Sequence, residues 1–66
     1  MQIILNGEAF VLEQEPTLAG LVQQLELQGR RIAVELNREI IPRGAYPSTP
    51  LQEGDRVEIV HAIGGG

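Results

Sequence analysis

The 66 residues contain no cysteine, so the chain is read as one small domain, 1–66, that folds on its apolar core without disulfides or a cysteine-based metal or redox site. Nine acidic residues against five arginines give a net charge of −4, which repels nucleic acid and anionic membranes and favours a basic partner surface. A domain this size buries only about 60% of its unfolded surface, which argues against a deep catalytic pocket, and with Phe10 and Tyr46 as the aromatics there is little for base stacking.

Lysine is absent, so no side-chain amine can form a Schiff base or link copies of the chain through an isopeptide bond. No apolar run approaches transmembrane length, and Met1-Gln2-Ile3-Ile4-Leu5 lacks the basic start and long apolar run of a signal peptide. A cytoplasmic protein without membrane or nucleic-acid partners is expected.

Gln2 to Asn6 reads as a strand, with Ile3 and Leu5 on one face and Ile4 on the other. Asn6-Gly7 supplies the positive φ angles of a type I′ turn. A second strand follows from Ala9 to Glu13, with Phe10 and Leu12 inward and Val11 outward. Pro16-Thr17 opens a helix of about ten residues, because the Thr17 hydroxyl can accept from the free N–H groups of the first turn. Leu18, Leu21, Val22 and Leu25 fall at i, i+3, i+4 and i+7 on one stripe, leaving Gln23, Gln24 and Glu26 on the wet side. Gly20 should weaken this helix by roughly 1 kcal/mol against alanine, and Gly29 is placed to end it in a left-handed conformation.

Ile32 to Leu36 alternates again, with Ile32, Val34 and Leu36 inward and Glu35 outward. A turn at Asn37-Arg38 leads to a short strand, Glu39 to Ile41, that Pro42 ends. Arg43 to Pro50 reads as irregular, with Leu51 plugging the core beneath it. Gly54-Asp55 turns the chain into a last strand, Arg56 to Ala62, with Val57 and Ile59 inward and Glu58 and Val60 outward.

A hairpin, a crossover helix and returning strands make the first and last strands central neighbours in a mixed sheet. The expected class is α+β, a ubiquitin-like β-grasp of four to five strands with one helix on one face. Ile4, Val60 and Val11 then fall on the open face, where a contiguous cluster would be a docking patch.

The chain ends Ala62-Ile63-Gly64-Gly65-Gly66, read as a flexible tail over 62–66. Three glycines contribute nothing to a core and lose the most backbone freedom on ordering. Their use is access: side-chain-free residues thread a narrow channel and expose a terminal carbonyl carbon to attack.

Taken together, the hairpin, the helix, the segment Leu36-Asn37-Arg38-Glu39-Ile40-Ile41-Pro42-Arg43, Gly54-Asp55 and the Gly65-Gly66 end resemble the ThiS family along the whole chain. Gly64 is a mild departure, since the family commonly has another small residue there. The resemblance implies a sulfur carrier of thiamine biosynthesis, a protein substrate and not a catalyst. It implies that a ThiF-type adenylyltransferase joins the Gly66 carboxylate to AMP, using ATP that this chain does not bind. Sulfur from a cysteine desulfurase then displaces AMP, and a ThiG-type thiazole synthase consumes the thiocarboxylate.

Two observations on the residues agree with this chemistry. A carboxylate resists nucleophiles until it is converted to an anhydride with a good leaving group, and a chain without cysteine has no other place than its C-terminus for a thiol-like sulfur. Ordering the tail costs about 1–2 kcal/mol per residue, so contacts elsewhere must offset it. Ile4, Val60 and Ile63 are read as the docking residues, with Gly64 to Gly66 in the partner's active site. Arg43 is a candidate contact to an acidic partner site, with a plain exposed arginine as the alternative.

No catalytic, cofactor or metal site is read from the sequence. His61 is taken as solvated, because nothing positions a nucleophile or orienting carboxylate beside it, and Glu35 and Glu39 as a solvated face. Alternative functions with the same features are a ubiquitin-like modifier and a molybdenum-cofactor-type carrier, while a plain interaction module would leave the tail inert.

Overall fold

The computed structural model describes Met1 to His61. Its elements are β1 (Gln2–Leu5), β2 (Glu8–Val11), α1 (Leu18–Gln24), β3 (Ile32–Leu36), β4 (Glu39–Ile41), a 3₁₀ helix (Arg43–Ser48) and β5 (Arg56–His61). The strands form one sheet in the order β2-β1-β5-β3-β4. β1 runs parallel to β5, and the other pairings are antiparallel. This is the expected β-grasp arrangement, with the first and last strands side by side. The expected extension of β5 to Ala62, and the tail over 62–66, lie outside the described residues.

Both hairpin turns use two consecutive residues at positive φ. Asn6 and Gly7 stand at 49° and 84°, Asn37 and Arg38 at 50° and 72°, as a type I′ turn requires. The Asn6-Gly7 turn sets the pairing of Ile3 with Phe10 and of Ile4 with Ala9, which sorts Ile3 to the core and Ile4 to the opposite face. Leu12 lies just past β2 but is still buried, with its N–H donating to the Met1 carbonyl at 2.8 Å.

α1 packs on one face of the sheet through the stripe read from its spacing. Leu18, Leu21 and Val22 are buried, and Leu25 packs half-buried against them. Ile3, Val34, Val57 and Ile59 answer from the sheet, and Tyr46 and Leu51 close the core from the long connection. Each such side chain contributes roughly 1.5–3 kcal/mol by leaving water. Thr17 caps as expected, its Oγ1 accepting from the Gly20 N–H at 3.1 Å.

Three local expectations are corrected. The helix spans seven residues, and the left-handed residue that ends it is Glu26, at φ 58°, not Gly29. Gly29, at φ 76°, belongs to a following turn closed by the Arg30 N–H on the Leu27 carbonyl. Such a short helix is marginal in isolation, so packing of Leu25 and Leu27 against the core decides where it stops. Second, within the stretch read as irregular, Arg43–Ser48 forms a 3₁₀ helix that places Tyr46 in the core. Third, Gln24 is no bystander on the wet side. Its Oε1 accepts from the N–H groups of Glu13 (2.7 Å) and Gln14 (3.2 Å), and its Nε2 donates to the Val11 carbonyl at 3.0 Å, tying the β2–α1 loop to the helix.

Gly20 has a reason that helix propensity does not show. A Cβ at this position would overlap the Glu15 carbonyl group, which the chain brings against the first turn of α1. Gly20→Ala is therefore expected to destabilise the protein by about 1–3 kcal/mol through overpacking, although alanine is the better helix former by about 1 kcal/mol. Urea denaturation distinguishes the two, because propensity alone predicts a gain.

Candidate functional site

β5 leads to the glycine end, so the site is built outward from what holds β5. On one side β3 pairs with it along its length, from Leu36↔Val57 to Ile32↔His61. On the other side β1 covers only its start, at Ile4↔Arg56 and Leu5↔Val57. Where β1 gives way to its turn, the Asn6 carboxamide takes over. Its Oδ1 accepts from the Ile59 N–H at 2.8 Å and its Nδ2 donates to the Ile59 carbonyl at 3.2 Å, so one side chain does the work of a neighbouring strand.

Asn37 secures the other end. Its N–H donates to the Arg56 carbonyl at 2.8 Å, its Oδ1 accepts from the Arg56 N–H at 3.0 Å, and its Nδ2 reaches Asp55 Oδ1 at 3.3 Å. Asp55 in turn accepts from the Gln52 N–H at 2.8 Å, shaping the turn before β5. Both asparagines serve twice, adopting the positive φ of a turn and pinning β5. From the sequence, Asn6 and Asn37 are expected only as turn residues. The Asn identity at both turns, where glycine also fits, is the signal for the second role.

The residues read as partner contacts are distributed as follows. Ile4 and Val60 share the open face of the sheet; Ile4 is half-buried and Val60 is 60% exposed. They are not neighbours. Ile4 sits beside Arg56, whereas Val60 lies four residues further along β5 beside Ala33, a separation of about 13 Å along the strand. Glu58 stands between them, directly opposite Glu35. The open face thus has an apolar end of Ile4, Ala9 and Val11, a middle of Arg56 and the Glu58–Glu35 pair with exposed Ile40 beside Glu35, and a second apolar pair of Val60 and Ala33.

Arg43 is elsewhere, on the helix side. Its Nη2 donates to the Arg30 carbonyl at 2.7 Å and holds the turn that follows α1. Beside it is a cleft of about 210 Å³ between α1, the start of β3 and the 3₁₀ helix, with Ala19, Val22, Leu27, Ile32, Tyr46 and Pro47 as its apolar wall. Burial raises the Tyr46 phenol above its ordinary pKa of 10.0, and the Arg43 guanidinium opposes the rise.

Ile63, Gly64, Gly65 and Gly66 lie outside the described residues. His61 is exposed on β5, opposite Ile32. Among the described residues, no group of three or more His, Cys, Asp or Glu side chains could hold a metal ion, and no helix is long and apolar enough to cross a membrane.

The ThiS family model matches residues 2–66 of the sequence. The chain belongs to the ThiS family. The sulfur carrier protein ThiS of Escherichia coli is 30% identical to it over 66 residues, which are 100% of each chain. A thiazole synthase of Magnetococcus marinus is 46% identical over 66 residues; these are 100% of this chain and 20% of that protein, so the chain spans only a fifth of that relative's length. The crystal structure of the thiamine biosynthesis protein (ThiS) from Geobacter metallireducens has the same fold, with a TM-score of 0.83 at 30% identity over 100% of both chains. In this ThiS-family chain the β-grasp body therefore accounts for the described residues, and the two asparagine clamps fix the strand that precedes the glycines.

Three outcomes follow. Asn6→Gly keeps the turn φ but removes the carboxamide, so it should cost about 1–3 kcal/mol and speed amide exchange at Ile59 more than at Val34; equal effects on both amides would deny the local clamp. Tyr46, being more easily ionised when unfolded, should make stability fall as pH rises through and beyond about 10. In ultraviolet difference titration, Arg43→Gln should push the Tyr46 pKa further up.

Proposed function

We propose that this chain is a sulfur carrier of thiamine biosynthesis, with the Gly66 carboxylate as its reactive group. The observation that carries the reading is the match, over the whole of both chains, to a sulfur carrier protein ThiS. The absence of cysteine supports it, because it leaves the terminal carboxylate as the place for a transferable sulfur.

A carboxylate spreads its charge over two oxygens and is a poor acyl donor. Adenylation by a ThiF-type adenylyltransferase removes that obstacle: Gly66 attacks ATP, pyrophosphate leaves, and the resulting mixed anhydride carries AMP as leaving group. A persulfide charged by a cysteine desulfurase attacks the anhydride through its terminal sulfur and expels AMP; a thiol then reduces the resulting acyl disulfide, releasing the thiocarboxylate and leaving a disulfide behind. A ThiG-type thiazole synthase is the consumer; the thiazole synthase relative that contains a segment like this chain favours that partner. The chain itself binds no cofactor and provides no catalytic group.

Gly65 and Gly64 serve access, since a partner channel that admits the backbone need not admit side chains. Ordering them costs about 1–2 kcal/mol each, which docking of the body must offset. The open-face end at Val60 is the docking surface at the end of β5, and Ile63, two residues beyond the described chain end at His61, is the second contact of this reading. Ile4 forms a separate apolar contact about 13 Å back along the sheet. The Glu35–Glu58 pair between them favours a basic partner surface, since like charges opposite each other on neighbouring strands are unfavourable until a cation answers them.

Incubation with a ThiF-type enzyme, ATP and a sulfur source should replace one oxygen by sulfur, as read by intact mass under reducing conditions. Fragmentation must place the change on Gly66, because oxidation of Met1, the sole methionine, adds nearly the same mass. A gain confined to Met1 would reject the carrier reading. Val60→Asp should lower kcat/KM for adenylation by about tenfold or more, the usual loss for charge placed in an apolar contact; an unchanged value would remove Val60 from the docking surface.

A further inference from the structure

The cleft on the helix side is not used by the sulfur chemistry, and its composition runs against that of the chain. Net charge is −4, yet among the described residues Arg30 and Arg43 line the cleft and no carboxylate side chain does. Arg43 is held in place there by its bond to the Arg30 carbonyl, which leaves further guanidinium N–H groups to donate. At about 210 Å³ the cleft is smaller than the 300–1,000 Å³ typical of small-molecule sites. Its size and its wall of Ala19, Val22, Leu27, Ile32, Tyr46 and Pro47 suit one bulky apolar side chain.

We propose that this cleft is a second docking site, taking a peptide segment of a partner protein in which a bulky apolar residue is flanked by acidic ones. The apolar side chain displaces water from the wall formed by Ala19, Ile32 and Tyr46, and the adjacent carboxylates meet Arg30 and Arg43. A basic segment is repelled by the same two guanidinium groups. Ile32 also pairs with His61, so a segment bound here lies alongside the end of β5 on the face opposite Val60. The proposal is independent of the sulfur-carrier reading and would hold for a chain with an inert tail.

The test is an amide chemical-shift titration of the full chain with two probes, N-acetyl-Leu-Glu-Glu amide and its uncharged counterpart N-acetyl-Leu-Gln-Gln amide. Saturable shifts at Ala19, Gly29, Ile32 and Tyr46 are expected. The acidic probe should bind about fivefold more tightly than the uncharged one, a margin lost in Arg30→Gln, in line with about 1 kcal/mol from exposed charges. Ala19→Phe, which fills the cleft, should abolish both titrations while leaving the rest of the spectrum unchanged.

Equal binding of the two probes, shifts centred on Ala33 and Val60, or no saturable shift would each overturn the proposal. So would evidence of another occupant. That evidence would be a change at the same amides on dilution, which marks a second copy of the chain, or on removal of residues 62–66, which marks the chain's own end.

Discussion

The structure depends on one constraint, that the last strand lies between the first strand and β3. β1 cannot pair in parallel with β5 until almost the whole chain has been laid down, so the contact at Leu5↔Val57 closes the fold. Everything between serves that closure. α1 makes the crossover, the leucine stripe fastens it to the sheet, and Leu51 and Tyr46 seal the return path. The Thr17–Pro50 bridge, with the Leu18 N–H on the Thr49 carbonyl at 3.0 Å, ties that path to the start of the helix.

Parallel pairing over two residues is short, and the Asn6 carboxamide extends it to Ile59 at the cost of one side chain. A buried or half-buried backbone group without a partner costs about 1–3 kcal/mol, so the clamp bears directly on how far order persists along β5. Asn37 performs the matching task at Arg56. On the proposed reading, with Gly66 as the reactive group, these bonds hold in place the strand that precedes it in the sequence. The two faces differ in character. The open face offers separated apolar patches around the Glu35–Glu58 pair, and the helix face offers an apolar cleft with arginines.

Element order, both hairpins, the core and the open face were legible because each rests on short-range pattern. Asn6-Gly7 demands a turn, alternation in Ile32 to Leu36 demands a strand, and Leu18, Leu21, Val22 and Leu25 demand a helix face. What escaped depends on contacts distant in sequence. The helix stops before left-handed Glu26 because Leu25 and Leu27 pack against the core, a choice that a later glycine cannot reveal. The order of the 3₁₀ segment comes from Tyr46 entering a core built by other elements. Gly20 reads as a weakness until Glu15 is seen folded back against it. The side-chain roles of Asn6 and Asn37 need the register of β5, which lies about fifty and twenty residues away. Of the candidate contacts, Ile4 and Val60 share a face as read, but their separation follows from register alone, and the place of Arg43 on the other side follows from its bond to Arg30.

The measurement that bears most directly on a fixed base for the tail is native-state hydrogen exchange along β5 in low denaturant. If β5 is held from both sides through Ile59, the Val57 and Ile59 amides will exchange only by global unfolding, with the same free energy and denaturant dependence as Val34. Exchange at Ile59 through a local opening well below the global value, insensitive to denaturant, would contradict it and leave the strand frayed where the tail begins.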